Sequence, residues 1–180
     1  MRLLSKLLQR VLEVITIGLL LTLAGVVISA VVARKGFNSS FIWYDEVASV
    51  LLAWITFYGA AYTALRRRHL GFEGLLVACP VGLRMALFVL AECVVYAVFL
   101  IMGYAGWFVL RIFGSEKLVS LDWVPLSFTQ AVVPIGAGLF ILAQILSTPD
   151  AWRRLKAGHT AEDEEIAEEI AKAQAAQERN

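Results

Sequence analysis

Four long stretches without a charged side chain dominate the pattern of apolar and polar positions along this chain. They cover residues 14–33, 47–65, 93–110 and 123–148. An α-helix rises about 1.5 Å per residue and the hydrocarbon core of a bilayer is about 30 Å thick, so about 20 apolar residues span it. The pattern therefore predicts an all-α integral membrane protein with four transmembrane helices. The third helix becomes longer if it includes Glu92, since the next charge upstream is Arg84.

The composition agrees with this prediction, because 59% of the 180 residues are hydrophobic and the mean hydropathy is +0.73. A soluble domain is not composed in this way. A cleaved signal peptide is an alternative for the first stretch, since basic residues precede it and residues 31–33 loosely fit a small-residue cleavage site. Its apolar run of about 20 residues exceeds a usual signal-peptide core. We therefore favour a retained first span.

Basic residues divide unequally between the two sides of the predicted membrane. One side holds ten of them: Arg2, Lys6, Arg10, Arg66, Arg67, Arg68, Arg84, Arg153, Arg154 and Lys156. The first and third connections hold only Arg34, Lys35, Arg111 and Lys117. By the positive-inside rule both termini and the second connection are predicted to be cytoplasmic, and the other two connections exterior.

Two segments differ from the membrane spans. Residues 157–180 carry seven acidic against two basic residues, so we predict a membrane domain over 1–156 followed by an acidic cytoplasmic tail. Its Ala, Glu, Gln and Lys content favours a solvated helix, with a docking segment as the alternative. Residues 70–84 are too apolar for an ordinary loop and too short to span, which predicts a short interfacial helix between spans two and three.

The ends of the second span carry charged and aromatic side chains. Asp45 and Glu46 begin the span, where the helix dipole favours negative charge, and Trp43 has the character of an interfacial belt residue. The span ends in the basic cluster Arg66, Arg67, Arg68 and His69. Anchoring at the membrane surface would explain all of these residues. The alternative is that the acidic pair contacts a partner outside the bilayer and the basic cluster one inside.

Ionisable and helix-breaking residues within the spans suggest helix contacts. Glu13 is shallow and follows Arg10 by three residues, so pairing suffices to explain it. Glu92 either makes a polar contact between helices or lies near the surface. Pro134, Gly136 and Gly138 predict a bend in span four, where the glycines permit close approach of a helix of this chain or of another subunit.

No enzyme chemistry is indicated. The chain contains no HExxH motif, no phosphate-binding glycine loop and no nucleophile elbow, and only two histidines, His69 and His159. Cys79 and Cys93 form no CxxC motif and are expected to be apolar packing residues. We predict no catalytic, metal or cofactor site in this chain and no nucleic-acid partner.

The order of several motifs resembles the small membrane subunit of tripartite ATP-independent periplasmic (TRAP) transporters, the DctQ-like family. The resemblance covers about residues 5 to 147, and the acidic tail is not part of it. They are Trp43-x-Asp45-Glu46, Trp54, Phe57-x-Gly59-Ala60, the basic cluster with His69, Glu73 in a place where the family commonly has Asp, and Pro134-Ile135-Gly136.

The resemblance implies sodium-driven uptake of organic anions, such as carboxylates or sugar acids, across the bacterial inner membrane. A periplasmic substrate-binding protein would deliver the substrate, and a large membrane subunit would hold the substrate and sodium sites and move as an elevator. The small subunit would then be scaffold, with Trp54, Phe57, Gly59 and Ala60 as its predicted interface. The charged ends of span two would hold that helix at fixed depth. Two other hypotheses remain: a self-assembling proton-coupled exporter that depends on Glu13, and a membrane adaptor that does not transport.

Overall fold

A computed structural model describes residues 2–36, 43–66 and 79–158, together with 170 and 174, with side chains from Ser5 onward. Its helices are α1 (Arg2–Gly36), α2 (Tyr44–Leu65), α3 (Val81–Phe113), α4 (Leu126–Gln130) and α5 (Val132–Ala157). Within these ranges the only extended pairing is an isolated bridge between Lys117 and Pro125. The predicted all-α class is therefore confirmed.

The predicted number of membrane spans is also confirmed. α1, α2 and α3 are each long and apolar enough to cross a bilayer, and α4 and α5 together form a fourth span, Leu126–Ala157. The helices exceed the charge-free stretches because a charged side chain does not end a helix when it is hydrogen-bonded to a neighbouring helix or keeps its charge near the membrane surface. α3 accordingly begins at Val81 and includes both Arg84 and Glu92.

Some predicted boundaries were wrong. Trp123, expected to begin span four, lies in the preceding loop and is 80% exposed. Span four also continues beyond its predicted end through Pro149 to Ala157. Residues 81–84, assigned to an interfacial helix, belong to α3, and Pro80 caps that helix in an extended conformation. Most of that predicted helix, and all of the predicted tail except residues 157, 158, 170 and 174, lie outside the described residues.

Close to Pro134, where a bend is predicted, span four has a one-residue break between α4 and α5 at Ala131, which itself keeps a helical backbone (φ −58°, ψ −20°). Ala131 ends α4, where its amide donates to Ser127 O at 3.0 Å, and its carbonyl accepts from Ile135 N at 3.1 Å to begin α5. Pro134 thus lies in the first turn of α5, where a helix has no intrahelical partner for its amide groups and tolerates proline.

The four spans form an open row rather than a closed bundle. The extensive contacts join α1 to α2, α2 to α5, and α5 to α3, so the spatial order is α1, α2, α5, α3. The span that contains α5 is the most enclosed, because 39% of the residues in its apolar 18-residue window are buried, whereas the same measure for α1 is 6%. Both faces of the row and its two edges therefore remain largely exposed.

Small residues allow the central helices to approach closely. Ala61 and Ala64 of α2 and Ala143 of α5 are almost completely buried, and the same cluster contains Leu12, Tyr58, Val132 and Phe140. A second cluster, Phe88 with Ala151 and Leu155, joins α3 to the end of α5. In a bilayer, where lipid tails are as apolar as leucine, such packing is a main source of helix association.

The row has two distinct ends. Ser5 and Gln9 of α1, Arg66 after α2 and Arg154 of α5 line one small pocket, so we call this end the terminal side. Trp43, Leu118 and Phe128 line another pocket at the opposite end, the loop side. α5 ends on the terminal side, where Gly158 adopts a positive φ of 85° that favours glycine.

Candidate subunit interface and its supporting contacts

The two acidic residues at the start of α2 make different contacts. Glu46 accepts hydrogen bonds from two backbone amides of the loop between α3 and α4, Val119 N to Oε1 at 3.0 Å and Ser120 N to Oε2 at 2.8 Å. Asp45 is exposed, and its carbonyl accepts from Ser49 Oγ at 2.7 Å. Glu46 therefore joins the loop to α2, while the Asp45 carboxylate faces outward.

The loop itself, residues 114–125, is folded against the helix ends. Leu118 N donates to Val124 O at 3.2 Å and Leu126 N donates to Glu116 O at 2.8 Å. These bonds draw Leu118 inward, where it is 7% exposed, and leave Val119 at 92% exposure. Because the backbone is fixed in this way, its amides can bind both oxygens of Glu46.

An apolar cleft of about 460 Å³ lies beside this loop on the loop side. It is lined by Trp43, Val47, Val50, Leu51, Leu118, Leu121, Trp123, Val124, Phe128 and Thr129. The Thr129 hydroxyl donates to Leu126 O at 2.9 Å, so even this polar lining residue is satisfied within its own helix. The cleft thus offers hydrocarbon and aromatic surface.

Three of the four interface residues predicted on α2 pack within this chain. Trp54 stacks on Tyr58 with ring centroids 5.7 Å apart, and it also contacts the ring of Phe128 at 5.4 Å. Phe57 and Ala60 pack against the central cluster. A Cβ added at Gly59 would meet nothing within 4 Å, so this position is open to lipid or to another subunit. The subunit-interface role of this group stays a prediction.

Gly136 provides the closest approach between α2 and α5. A Cβ added there would lie 2.5 Å from Phe57 Cβ and 2.7 Å from its Cδ1. By contrast, a Cβ at Gly138 would meet nothing within 4 Å. Gly136 thus permits contact within this chain, which was one of the two interpretations of the span-four glycines. Gly138 faces open space.

Of the basic cluster at the end of α2, Arg66 is the member that lies within the described residues. Its guanidinium lies 5.0 Å from the centroid of the Tyr62 ring. The amide of Gln9, with its oxygen turned toward α2, accepts from Arg66 Nη2 at 2.9 Å and Nε at 2.8 Å. Arg66 therefore joins α1 to α2. The other predicted members of this site, Arg67, Arg68, His69 and Glu73, lie outside the described residues.

Arg84 is a supporting residue that the sequence reasoning used only to orient the chain. It is buried at 7% exposure, and its Nη1 donates to Leu155 O at 2.9 Å. Its Nη2 donates to Cys79 O at 3.0 Å. A guanidinium can satisfy carbonyls that a helix leaves unpaired in its last turn. Arg84 thereby joins the end of α5 to the residue that precedes α3.

Glu92 makes the interhelical polar contact that was one of its two interpretations. It is 8% exposed and its Oε2 accepts from Gln144 Nε2 at 3.0 Å. The Thr148 hydroxyl lies 3.4 Å from the same oxygen, and Tyr96 Oη lies 3.4 Å from that hydroxyl. Gln144, an amide within an apolar stretch, was the available signal for this contact. Glu13 is half-buried and lines a groove with Arg10 near the start of α1.

The described residues show no group of three metal-ligating side chains. Their buried polar groups instead join helices and loops to one another. Fold and site together define a multi-pass helical membrane protein whose polar side chains serve mainly to support its architecture.

Comparison with known proteins agrees with this class. The profile of the family described as "Tripartite ATP-independent periplasmic transporters, DctQ component" matches residues 23–154. The chain therefore belongs to this family, the DctQ component of TRAP transporters.

A relative from Halomonas elongata is similar over 124 residues with 30% identity. It is described as "Ectoine TRAP transporter small permease protein TeaB". The similar region covers 68% of this chain and 64% of the relative.

Proposed function

We propose that this chain is the scaffold subunit of a sodium-coupled, binding-protein-dependent importer of organic anions in the bacterial inner membrane. The observation that carries the proposal is the open row of helices. A row whose outer spans have only 6% and 11% of their apolar 18-residue windows buried presents most of its apolar surface to its surroundings. Such a surface suits lipid on one face and a larger membrane subunit on the other.

The polar groups in the spans support a scaffold rather than a transport route. A subunit that carries its own ion-coupled site is expected to have discontinuous helices and polar groups at the bilayer midplane. Here Glu92 bonds to Gln144 between α3 and α5, and the break at Ala131 lies near the loop side. We therefore assign the sodium and substrate sites, and the elevator motion, to the large subunit.

In this proposal the ends of α2 hold the row at a fixed depth while the neighbouring subunit moves. Glu46 joins α2 to the loop 114–125 at one end, and Arg66 joins α2 to α1 at the other. Asp45 and the exposed loop residues offer polar surface for the periplasmic binding protein. With both termini cytoplasmic, the loop side is the periplasmic side.

The proposed substrate class is that of organic carboxylates and sugar acids. The relative from Halomonas elongata is named for ectoine, so ectoine belongs in the first set of compounds to be tested. The residues that select the substrate are expected in the partner chains.

The first experiment is gentle purification of the tagged chain from its native membranes, followed by mass spectrometry of the co-purifying proteins. Recovery of a large polytopic permease in equal amount, and sodium-dependent uptake by the reconstituted complex, would support the proposal. Recovery of a homo-oligomer alone, with transport abolished by Glu13→Gln, would instead establish an exporter. A partner that binds without any effect on flux would indicate an adaptor.

A second experiment tests the acidic pair. Asp45→Lys combined with Glu46→Lys is expected to lower complex yield or uptake, because it removes the acceptor of two loop amides and reverses the charge of the exposed carboxylate. Wild-type assembly and uptake in the double variant would show that the acidic pair serves only as a replaceable anchor at the membrane surface.

A further inference from the structure

α3 lies at one edge of the row and depends on α5 for its attachment. Its extensive contacts are with α5, supplemented by smaller ones with the short helix α4. Of the polar contacts described above that cross this interface, the two shortest are Glu92 with Gln144 at 3.0 Å and Arg84 with Leu155 O at 2.9 Å. We call them together the α3–α5 polar contacts. All the side chains that make them are buried.

The same register persists along the whole α3–α5 interface. From the terminal side, Phe88 meets Trp152 with ring centroids 5.8 Å apart, and Phe99 stacks on Phe140 at 3.5 Å. Towards the loop side, a Cβ added at Gly103 would lie 3.3 Å from Ala137 Cβ. Between the first and the last of these contacts α3 advances 15 residues, from Phe88 to Gly103, and α5 goes back 15, from Trp152 to Ala137, as expected for one antiparallel register.

The apolar part of this interface defines that register by steric fit alone, as where Gly106 packs against Val133. Aromatic rings, methyl groups and glycines can exchange neighbours when one helix slides along another, and lipid tails solvate what is exposed. A hydrogen bond is directional and weakens steeply when its distance or angle changes. In a hydrocarbon environment no water is present to replace the lost partner. The polar contacts therefore add a directional restraint on axial sliding to the steric restraint of the apolar contacts.

We propose that Glu92, Gln144 and Arg84 are positioning residues that set the axial register of α3 against α5 and hold it while the transporter operates. This inference rests on the proposed scaffold function, because the large subunit would exert the force that α3 must resist. The α3–α5 polar contacts act at two depths, with Arg84 two turns closer to the terminal side than Glu92. Two separate contacts resist tilting as well as sliding.

The decisive variant replaces both partners of one contact by apolar residues. Glu92→Leu together with Gln144→Leu removes both members of that hydrogen bond, and replacements of both partners by apolar residues are often neutral for stability. Thr148 keeps a backbone partner in the variant, since its hydroxyl also donates to Gln144 O at 2.7 Å. A matched control, Cys93→Leu with Ile145→Leu, changes the two adjacent positions, which are exposed.

Register is measured directly with a cysteine pair, Gly103→Cys and Ala137→Cys, in a background that lacks Cys79 and Cys93. The separation of 3.3 Å between the two Cβ positions is close to that of a disulfide. Oxidation is expected to join the two helices in the otherwise unchanged chain. In the Glu92→Leu, Gln144→Leu background we expect crosslinking to be slower by about threefold, the equivalent of one interhelical hydrogen bond.

Uptake and assembly are measured on the same variants with the co-expressed large subunit. We expect the double leucine variant to assemble at wild-type yield but to take up substrate about threefold more slowly. The control pair is expected to match the wild type. Glu92→Gln is expected to retain function, because its amide oxygen can still accept from Gln144 Nε2.

Wild-type crosslinking and uptake in the double leucine variant would overturn the proposal and leave the contact a purely structural one. Loss of uptake in Glu92→Gln as large as in the double variant would also overturn it, since charge rather than register would then be required. Crosslinking is read on the chain alone. Failure of the scaffold function, seen as no co-purifying permease, is therefore distinguishable from failure of the register proposal.

Discussion

Gly136→Ala is the substitution for which the structure makes its sharpest prediction. The added Cβ would lie 2.5 Å from Phe57 Cβ, 2.7 Å from Cδ1 and 2.9 Å from Cγ. Carbon atoms pack favourably at about 3.5–4.0 Å. α2 and α5 would therefore have to move apart by about 1 Å, and Phe57 could not relieve the contact by turning its ring, because the nearest atom is its own Cβ.

Two opposing contributions determine how much Gly136→Ala changes the free energy of unfolding. Overpacking a close contact typically costs about 1–3 kcal/mol. Replacement of a helical glycine by alanine stabilises the helix by up to about 1 kcal/mol, because alanine has the higher helix propensity. Gly138→Ala carries the same gain without the clash, since its Cβ would meet nothing within 4 Å. The difference between the two variants isolates the overpacking cost, and we expect it to be about 1–3 kcal/mol.

The assay is equilibrium unfolding of the purified chain in mixed micelles, with the free energies of unfolding of Gly136→Ala and Gly138→Ala measured side by side. Adding Phe57→Ala to Gly136→Ala should not restore stability, because the Cβ of residue 57 remains. Equal stability of the two glycine variants would refute the close approach of α2 and α5. Rescue by Phe57→Ala would show that the ring, rather than the Cβ, makes the contact.

Three further predictions concern the supporting contacts. Glu46→Gln should speed hydrogen exchange at the amides of Val119 and Ser120, since one amide loses its acceptor oxygen, whereas Asp45→Asn should leave their exchange unchanged; equal rates in both variants would contradict the assigned contact. Gly106→Ala should lower the free energy of unfolding by about 1–3 kcal/mol, because its Cβ would lie 2.7 Å from Val133 Cγ1, and Gly82→Ala, in open space on the same helix, should not. Arg84→Met should cost about 1.5–3 kcal/mol and raise the reactivity of Cys79 toward maleimide, while the exposed Arg153→Met serves as control; unchanged labelling would show that Arg84 does not order the start of α3.

Ends of helices were predicted less well than their number. Charge-free length identified all four spans, because the hydrocarbon core admits few charges in a helix that faces lipid. The same criterion began span four at Trp123 and ended it before Pro149, whereas the described helices run from Leu126 to Ala157. Proline and interfacial aromatic residues occur both just inside and just outside a span, so their positions alone do not define its limits.

The candidate site was predicted in part. Asp45 and Glu46 were identified as a pair, yet only the fold of residues 114–125 brings two loop amides to Glu46 and leaves Asp45 exposed. Arg84 gave no separate signal, because a lone arginine near a membrane surface is ordinary. Its contact with Leu155 O joins residues 71 positions apart, and no local pattern encodes a partner at that distance.

Hydropathy and motif order by themselves thus determined a four-span membrane protein and its resemblance to the TRAP small subunits, since the bilayer constrains each helix individually. The tertiary structure alone decided that these helices form the row α1, α2, α5, α3, that Phe57 packs on Gly136 within the chain, and that Glu92 is buried against Gln144. The physical reason is that lipid solvates every apolar face alike. The choice of neighbours therefore depends on small residues and on hydrogen bonds between distant positions, which become apparent only when the helices are placed together.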